Sequence, residues 1–112
     1  MIGSEKQIKW AENIIARIVA AAEKTKAEIN AKSSASAEKA VSRGNQERAE
    51  KHIETARRRI EEIDEVFDYI PKIELASKVI AYEIVADRAE QGIAASWPHI
   101  AADVALMAGI RI

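Results

Sequence analysis

Apolar residues recur at alternating steps of three and four over two long stretches of the chain. The first set is Ile8, Ala11, Ile15, Ile18, Ala22, Thr25 and Ile29. The second set is Ala49, Ile53, Ala56, Ile60, Ile63, Phe67 and Ile70. This spacing follows the 3.6-residue turn of an α-helix and places each set on one side of its helix. Two matched stripes joined by a short break predict an antiparallel helical hairpin.

The ends of these two helices are indicated by capping residues. Ser4 followed by Gln7 matches a capping box, in which each side chain binds a backbone amide of the other. The hairpin turn has two possible positions: residues 33–36 have weak helix propensity, whereas Gly44 can end one helix and Asn45 can cap the next. Gly costs about 1 kcal/mol inside a helix and Ser roughly half of that, which favours the turn at 43–45. The hairpin is therefore predicted over about 5–42 and 46–70.

Beyond Pro71 the chain changes from charge-rich to apolar. Two more helices are predicted there, over about 72–91 and 98–108, with Gly92 and Gly109 after their ends. The sequence thus predicts an all-α fold and one domain over residues 1–112. Within it, residues 4–70 form a charged hairpin and residues 71–112 an apolar helical part.

The helix predicted over 72–91 is apolar on two faces, which is typical of a central helix or of one shared with a second chain. We expect homo-oligomerisation through this helix, and Leu75→Glu or Val79→Glu should weaken it. The first turns of the first helix have no partner in the second helix. Trp10 lies there and is expected to be buried against the C-terminal half.

Charge and composition narrow the function classes. The chain has 17 Lys and Arg against 18 Asp and Glu, a net charge of −1 and no Cys. This balance argues against binding to nucleic acid or anionic membranes, which requires a surplus of cations. Disulfides and thiolate metal sites are excluded. With no long apolar run or signal peptide, we expect a cytoplasmic protein that neither spans nor binds a membrane.

Few residues suggest catalytic or metal chemistry. His99 and Asp103 have the i, i+4 spacing of two metal ligands on a helix, but no further ligands are close in sequence. Neither His99 nor His52 has an evident nucleophile beside it. We therefore expect no enzyme activity, no metal and no cofactor.

The acids near the end of the second helix are the predicted partner-binding residues. Glu61, Glu65 and Asp68 recur at steps of four and three and share a face directed away from the apolar stripe. Acids in the last turns of a helix are disfavoured by its dipole, unless Lys24 and Lys26 on the facing helix offset them. If they are not offset, this face fits a basic partner.

The N-terminal segment GSEKQIKWAENI resembles the first helix of small helical proteins of phages, prophages and mobile elements. The matching residues are Ser4, Lys6, Gln7, Ile8, Trp10, Ala11, Glu12 and Ile14. The resemblance implies a phage or mobile-element setting. Together with the absence of catalytic motifs, it leads us to expect a non-enzymatic interaction protein that binds and occludes a host protein or defence complex, as an anti-CRISPR-type inhibitor does. The alternatives are a helix-turn-helix regulator of DNA and a structural or assembly subunit.

Overall fold

The computed structural model describes residues 1–111 and has an all-α fold, as the sequence predicts. The helices are α1 (Glu5–Ser42), α2 (Gln46–Tyr69), α3 (Ala76–Ala81), α4 (Ile84–Glu90) and α5 (Trp97–Met107). Short 3-10 turns at Ile70–Lys72 and Ala94–Ser96 connect them. The molecule is elongated, measuring 59 × 23 × 18 Å, because α1 and α2 extend well beyond the other helices.

The capping residues define the hairpin as the sequence predicts. The Ser4 hydroxyl accepts a hydrogen bond from the Gln7 amide at 3.2 Å, and the Ser4 amide donates to Gln7 Oε1 at 3.0 Å. Gly44 has a φ of +74°, a left-handed conformation that favours glycine, and Asn45 Oδ1 accepts from the Arg48 amide at 3.0 Å. The turn is therefore at 43–45, and α1 continues unbroken through the serines at 33–36.

The main core lies at the end of the hairpin that carries the chain termini. There α3 and α4 pack on α1, while α5 packs on α2. The apolar stripes of the hairpin meet the C-terminal helices in this core, which includes Ile14, Ile18, Ile63, Val66, Val79, Val85, Trp97, Ile100 and Val104. The expectation that the C-terminal helices dock on the first turns of α1 is confirmed for α3 and α4 and is wrong for α5, which packs on α2.

The other end of the hairpin consists of α1 and α2 alone. Its buried cluster is Ala37, Ala40 and Ala49, side chains that bury little apolar area each. The Ser33 hydroxyl adds one link between the helices by donating to the His52 carbonyl at 3.1 Å. This end is thus held more weakly than the main core.

The single helix predicted over 72–91 is wrong, because the structure divides it into α3 and α4. Around Tyr82 and Glu83 the amides bind carbonyls three residues back, which overwinds the chain and turns α4 relative to α3. In an unbroken helix Ala76 and Val85 would lie on opposite sides. After the break both are fully buried, whereas Ile84 is 59% exposed. Core packing thus determines the break, and neither Gly nor Pro marks it.

The expected burial of Trp10 is also wrong. Its side chain is 48% exposed, and its indole nitrogen lies 3.4 Å from Glu83 Oε1 at the α3–α4 break. The short C-terminal helices cover the neighbouring positions Ala11 and Ile14 instead. The fully buried tryptophan is Trp97, at the start of α5.

The first residues of the chain are tied to the segment before α3. The Ile2 amide donates to the Glu74 carbonyl at 2.6 Å, and the Ala76 amide donates to the Ile2 carbonyl at 2.9 Å. These two bonds form an isolated parallel bridge between Ile2 and Leu75, which we call the N-terminal clasp. Among the described helices, each is too short or too polar to cross a membrane.

Candidate functional site

The three predicted partner-binding acids are exposed on the outer side of α2. Arg57 Nη1 lies 2.9 Å from Glu61 Oε1, so part of the Glu61 charge is already balanced. Glu65 and Asp68 form no ion pair with any side chain of residues 1–111. The acidic face therefore retains two uncompensated carboxylates.

Of the two lysines expected to offset the acids of α2, only Lys26 forms an ion pair, and its partner is Asp64 rather than one of the three predicted acids. Lys26 Nζ lies 2.5 Å from Asp64 Oδ1 and 5.5 Å from the centre of the Phe67 ring. Lys24 forms no ion pair within residues 1–111 and lines a different groove, which the end of α4 also borders. Only one of the two lysines therefore compensates the acids of α2.

A second pair of interactions orders the same helix surface. Arg57 donates to both carboxylate oxygens of Glu54, at 3.1 and 2.6 Å. The hydrogen bonds from Arg57 lower the pKa of Glu54 below its ordinary value, so this carboxylate stays charged. Arg57 thus lies between two acids, and their carboxylates balance its positive charge.

Next to these charges, a groove runs between α1 and α2. We call it the Ile53 groove; its volume is about 470 Å³, and it is lined by Asn30, Ser33, Ser34, Ile53, Ala56, Arg57, Ile60, Glu61 and Asp64. Ile53 is 56% exposed although the sequence places it in the buried stripe. The serines opposite it are too small to cover an isoleucine. The groove therefore combines exposed apolar surface with the carboxylates of Glu61 and Asp64.

A larger groove of about 730 Å³ lies on the other side of α1, against the end of α4. Its central charge is Arg17, whose Nη2 is 2.6 Å from Asp87 Oδ1 and which also donates to both carboxylate oxygens of Glu90. The hydrogen bonds from Arg17 lower the pKa of Glu90. Alanines line much of the remaining wall, and no large exposed apolar side chain is present in it. This groove is the place where ion pairs anchor α4 to α1. The Ile53 groove is smaller but exposes a large apolar side chain, and it is therefore the better candidate for a binding site.

The structure removes most of the argument for self-association through the helix predicted over 72–91. Val79 is fully buried within the monomer, so Val79→Glu would disrupt the core and is not a test of an oligomer. Among the large apolar residues of this segment, only Leu75 and Ile84 remain exposed, at 38% and 59%. The oligomeric state itself stays a prediction.

The geometry gives little support to a metal site at His99 and Asp103, or to a helix-turn-helix in which α5 would be the recognition helix. Within residues 1–111 no three His, Asp or Glu side chains are arranged to hold a metal ion, and Asp103 lies 3.7 Å from Arg88. A recognition helix must present a free face to the DNA groove. Six of the eleven residues of α5 are buried, and His99 on its open side is accompanied by Pro98 and Leu106.

Two features of this surface were missed from the sequence. Exposure of Ile53 follows from the small residues opposite it, and the serines at 33–36 were available as a signal. The ion pairs of Arg17 with Asp87 and Glu90 join residues about 70 positions apart, and no local pattern indicates them.

Comparisons with protein-family models, with curated protein sequences and with solved structures found no match.

Proposed function

We propose that this chain is a non-enzymatic interaction protein that binds a partner protein through the Ile53 groove and the adjoining acids of α2. The observation that carries the proposal is the exposed isoleucine in a groove bordered by carboxylates. Full burial of an Ile side chain contributes on the order of 1.5–3 kcal/mol, and Ile53 is 56% exposed, so covering it would add roughly half of that and makes it a potential anchor.

The chemistry of the surface indicates the partner. An amphipathic helix with apolar side chains on one face and Lys or Arg beside them would fill the groove and meet Glu61, Glu65 and Asp68. Such complementarity raises the rate of encounter more than it raises the final affinity. The partner is therefore proposed to present a basic, amphipathic helix.

A binding role also fits the polar groups in the groove. The Ser33 hydroxyl is engaged by a backbone carbonyl, and Arg57 is held between Glu54 and Glu61. These groups stabilise the hairpin and are not arranged as a nucleophile with its base. A more specific form of the proposal is an inhibitor that occludes a host enzyme or defence complex; its support is the resemblance of the N-terminal segment to phage and mobile-element proteins.

The test is affinity capture from a bacterial lysate with three baits. The first is the unaltered protein, and the second carries Ile53→Ser with Glu65→Lys and Asp68→Lys. The third is a charge-matched control with Glu12→Lys and Glu23→Lys, two exposed acids of α1. We expect a protein captured by the first and third baits and lost from the second. Equal capture by all three, or none by the first, would show that this surface is not the binding site.

A further inference from the structure

The charges of the molecule are unevenly distributed along its length. The hairpin from residue 24 to residue 61 contains ten Lys and Arg against six Asp and Glu, whereas the rest of the chain contains seven against twelve. A net charge of −1 therefore averages a basic region and an acidic region. The net charge of −1 therefore does not exclude that the basic region binds an anionic ligand.

The cations of the hairpin lie mainly on one of its two open faces. Helical spacing places Asn30 and Ile53 on the face with the Ile53 groove and a second set of residues on the opposite face. That opposite face, which we call the basic face, contains Lys24, Lys32 and Lys39 of α1, Arg43 at the C-cap of α1, and Arg48 and Arg59 of α2. Its uncompensated acids are Glu28 and the partly buried Glu62, and Glu47 and Lys51 form an i, i+4 pair at its edge.

The six cations are free to bind an external anion. None of them forms an ion pair with a carboxylate of residues 1–111, whereas Lys26 and Arg57 on the groove face are both paired. Lys32 and Arg43 are eleven residues apart, which is about 16 Å along a helix. Arg48 and Arg59 have the same separation on the neighbouring helix. The result is two parallel rows of cations, one on each helix of the hairpin.

The side chains between the cations narrow the class of anion. They are small or polar, namely Ala35, Ser36, His52 and Thr55. Insertion into a membrane surface needs large apolar residues among the cations, and these are missing here. The basic face also contains no aromatic residue on which an unpaired base could stack.

We propose that the basic face binds the phosphate backbone of double-stranded nucleic acid. Phosphates spaced at regular intervals along a duplex match rows of Lys and Arg, and contacts to the backbone carry no sequence information. Binding is therefore expected to be independent of base sequence. The surface is separate from the Ile53 groove, so the two proposals can fail independently.

Fluorescence anisotropy with labelled 30-base-pair DNA and RNA duplexes tests the proposal. Because binding to phosphates releases counterions, the affinity should fall steeply with salt, and a log–log slope between about −3.6 and −5.4 is expected on DNA for four to six contacts. Replacing Lys32, Lys39 and Arg48 by Gln should lower the affinity at least tenfold at 100 mM salt and reduce the slope by about 2–3. Gln is a good helix former, so the variant should keep the helical circular dichroism of the parent.

The matched control replaces by Gln the residues Lys6, Lys9 and Lys78, which are exposed cations away from the basic face. It makes the same change in net charge and should bind within about twofold of the unaltered protein. Equal losses in the two variants, or no binding of either duplex at 50 mM salt, would overturn the proposal. Tighter binding to phosphatidylserine vesicles than to either duplex would identify a membrane surface as the ligand and would also overturn it.

Discussion

Trp97 and Trp10 are the same side chain in opposite surroundings. Trp97 is fully buried at the start of α5, and its indole N–H has no hydrogen-bond acceptor within residues 1–111. Trp10 is half exposed and lies against Glu83. Burial of apolar area therefore stabilises the fold more at Trp97 than at Trp10, where about half of the side chain stays in water.

This difference gives a prediction for stability. Trp97→Ala should lower the free energy of unfolding by about 3–5 kcal/mol, because it removes a large side chain from a closed core. Trp10→Ala should lower it by less, because about half of the Trp10 side chain is already exposed to water. Thermal melts of the two variants compare them directly. A greater loss for Trp10→Ala would contradict the placement of both residues.

The Arg17 interactions predict a dependence on pH. Arg17 lowers the pKa of Glu90 in the folded state, so this pair stabilises the fold above the unfolded-state pKa of Glu, about 4.3. Its contribution is lost as the pH falls through the lower folded-state pKa. The difference in Tm between the unaltered protein and Arg17→Met should therefore shrink between pH 6 and pH 3. Lys78→Met, which removes an exposed cation without an ion pair, should show a small difference throughout.

At the scale of elements, the sequence predicted those features that depend on residues close together in the chain. Ser4, Gln7, Gly44 and Asn45 bind the backbone within a few residues, so the ends of α1 and the hairpin turn were predicted correctly. The break at Tyr82 was not predicted, because it is favoured by burial of Val85 against distant helices. The same limit applies to the candidate surfaces: the acids of α2 were recognisable by spacing, but exposure of Ile53 depends on how the helices pair.

The unequal packing along the hairpin predicts unequal opening. Amides near Ala37, Ala40 and Ala49 should exchange with deuterium faster than those near Ile14, Ile18 and Ile63, because little apolar area must be exposed to open the former. Hydrogen exchange followed by mass spectrometry measures this. Uniform protection along α1 would mean that the hairpin opens only with the whole fold.

At the scale of the whole molecule, the two open faces of the hairpin differ in character. One combines isoleucine with carboxylates, and the other presents Lys and Arg. Composition alone suggests a neutral surface, since the two faces cancel in the sum. The two faces can be distinguished only when the charges are located on the folded structure.

Self-association now has a sharper test. Ile84, at the α3–α4 break, is 59% exposed, so Ile84→Glu should shift any dimer towards monomer without lowering Tm appreciably. Sedimentation at tens of micromolar detects a dimer held by about 7 kcal/mol. Lys78→Glu, an exposed polar position on α3, is the control. A monomer at every concentration would refute the prediction.

The N-terminal clasp has a consequence for the order in which the chain folds. It joins Ile2 to residues 74–76, and closing a loop of about 70 residues costs roughly 4 kcal/mol of chain entropy, whereas the turn at Gly44 is local. We therefore expect the hairpin to form before the clasp, which can close only after α3 has formed. Until then Ile14, Ile18 and Ile63 are exposed to water. Newly synthesised chains are accordingly most prone to associate with one another while residues 71–111 are still being added.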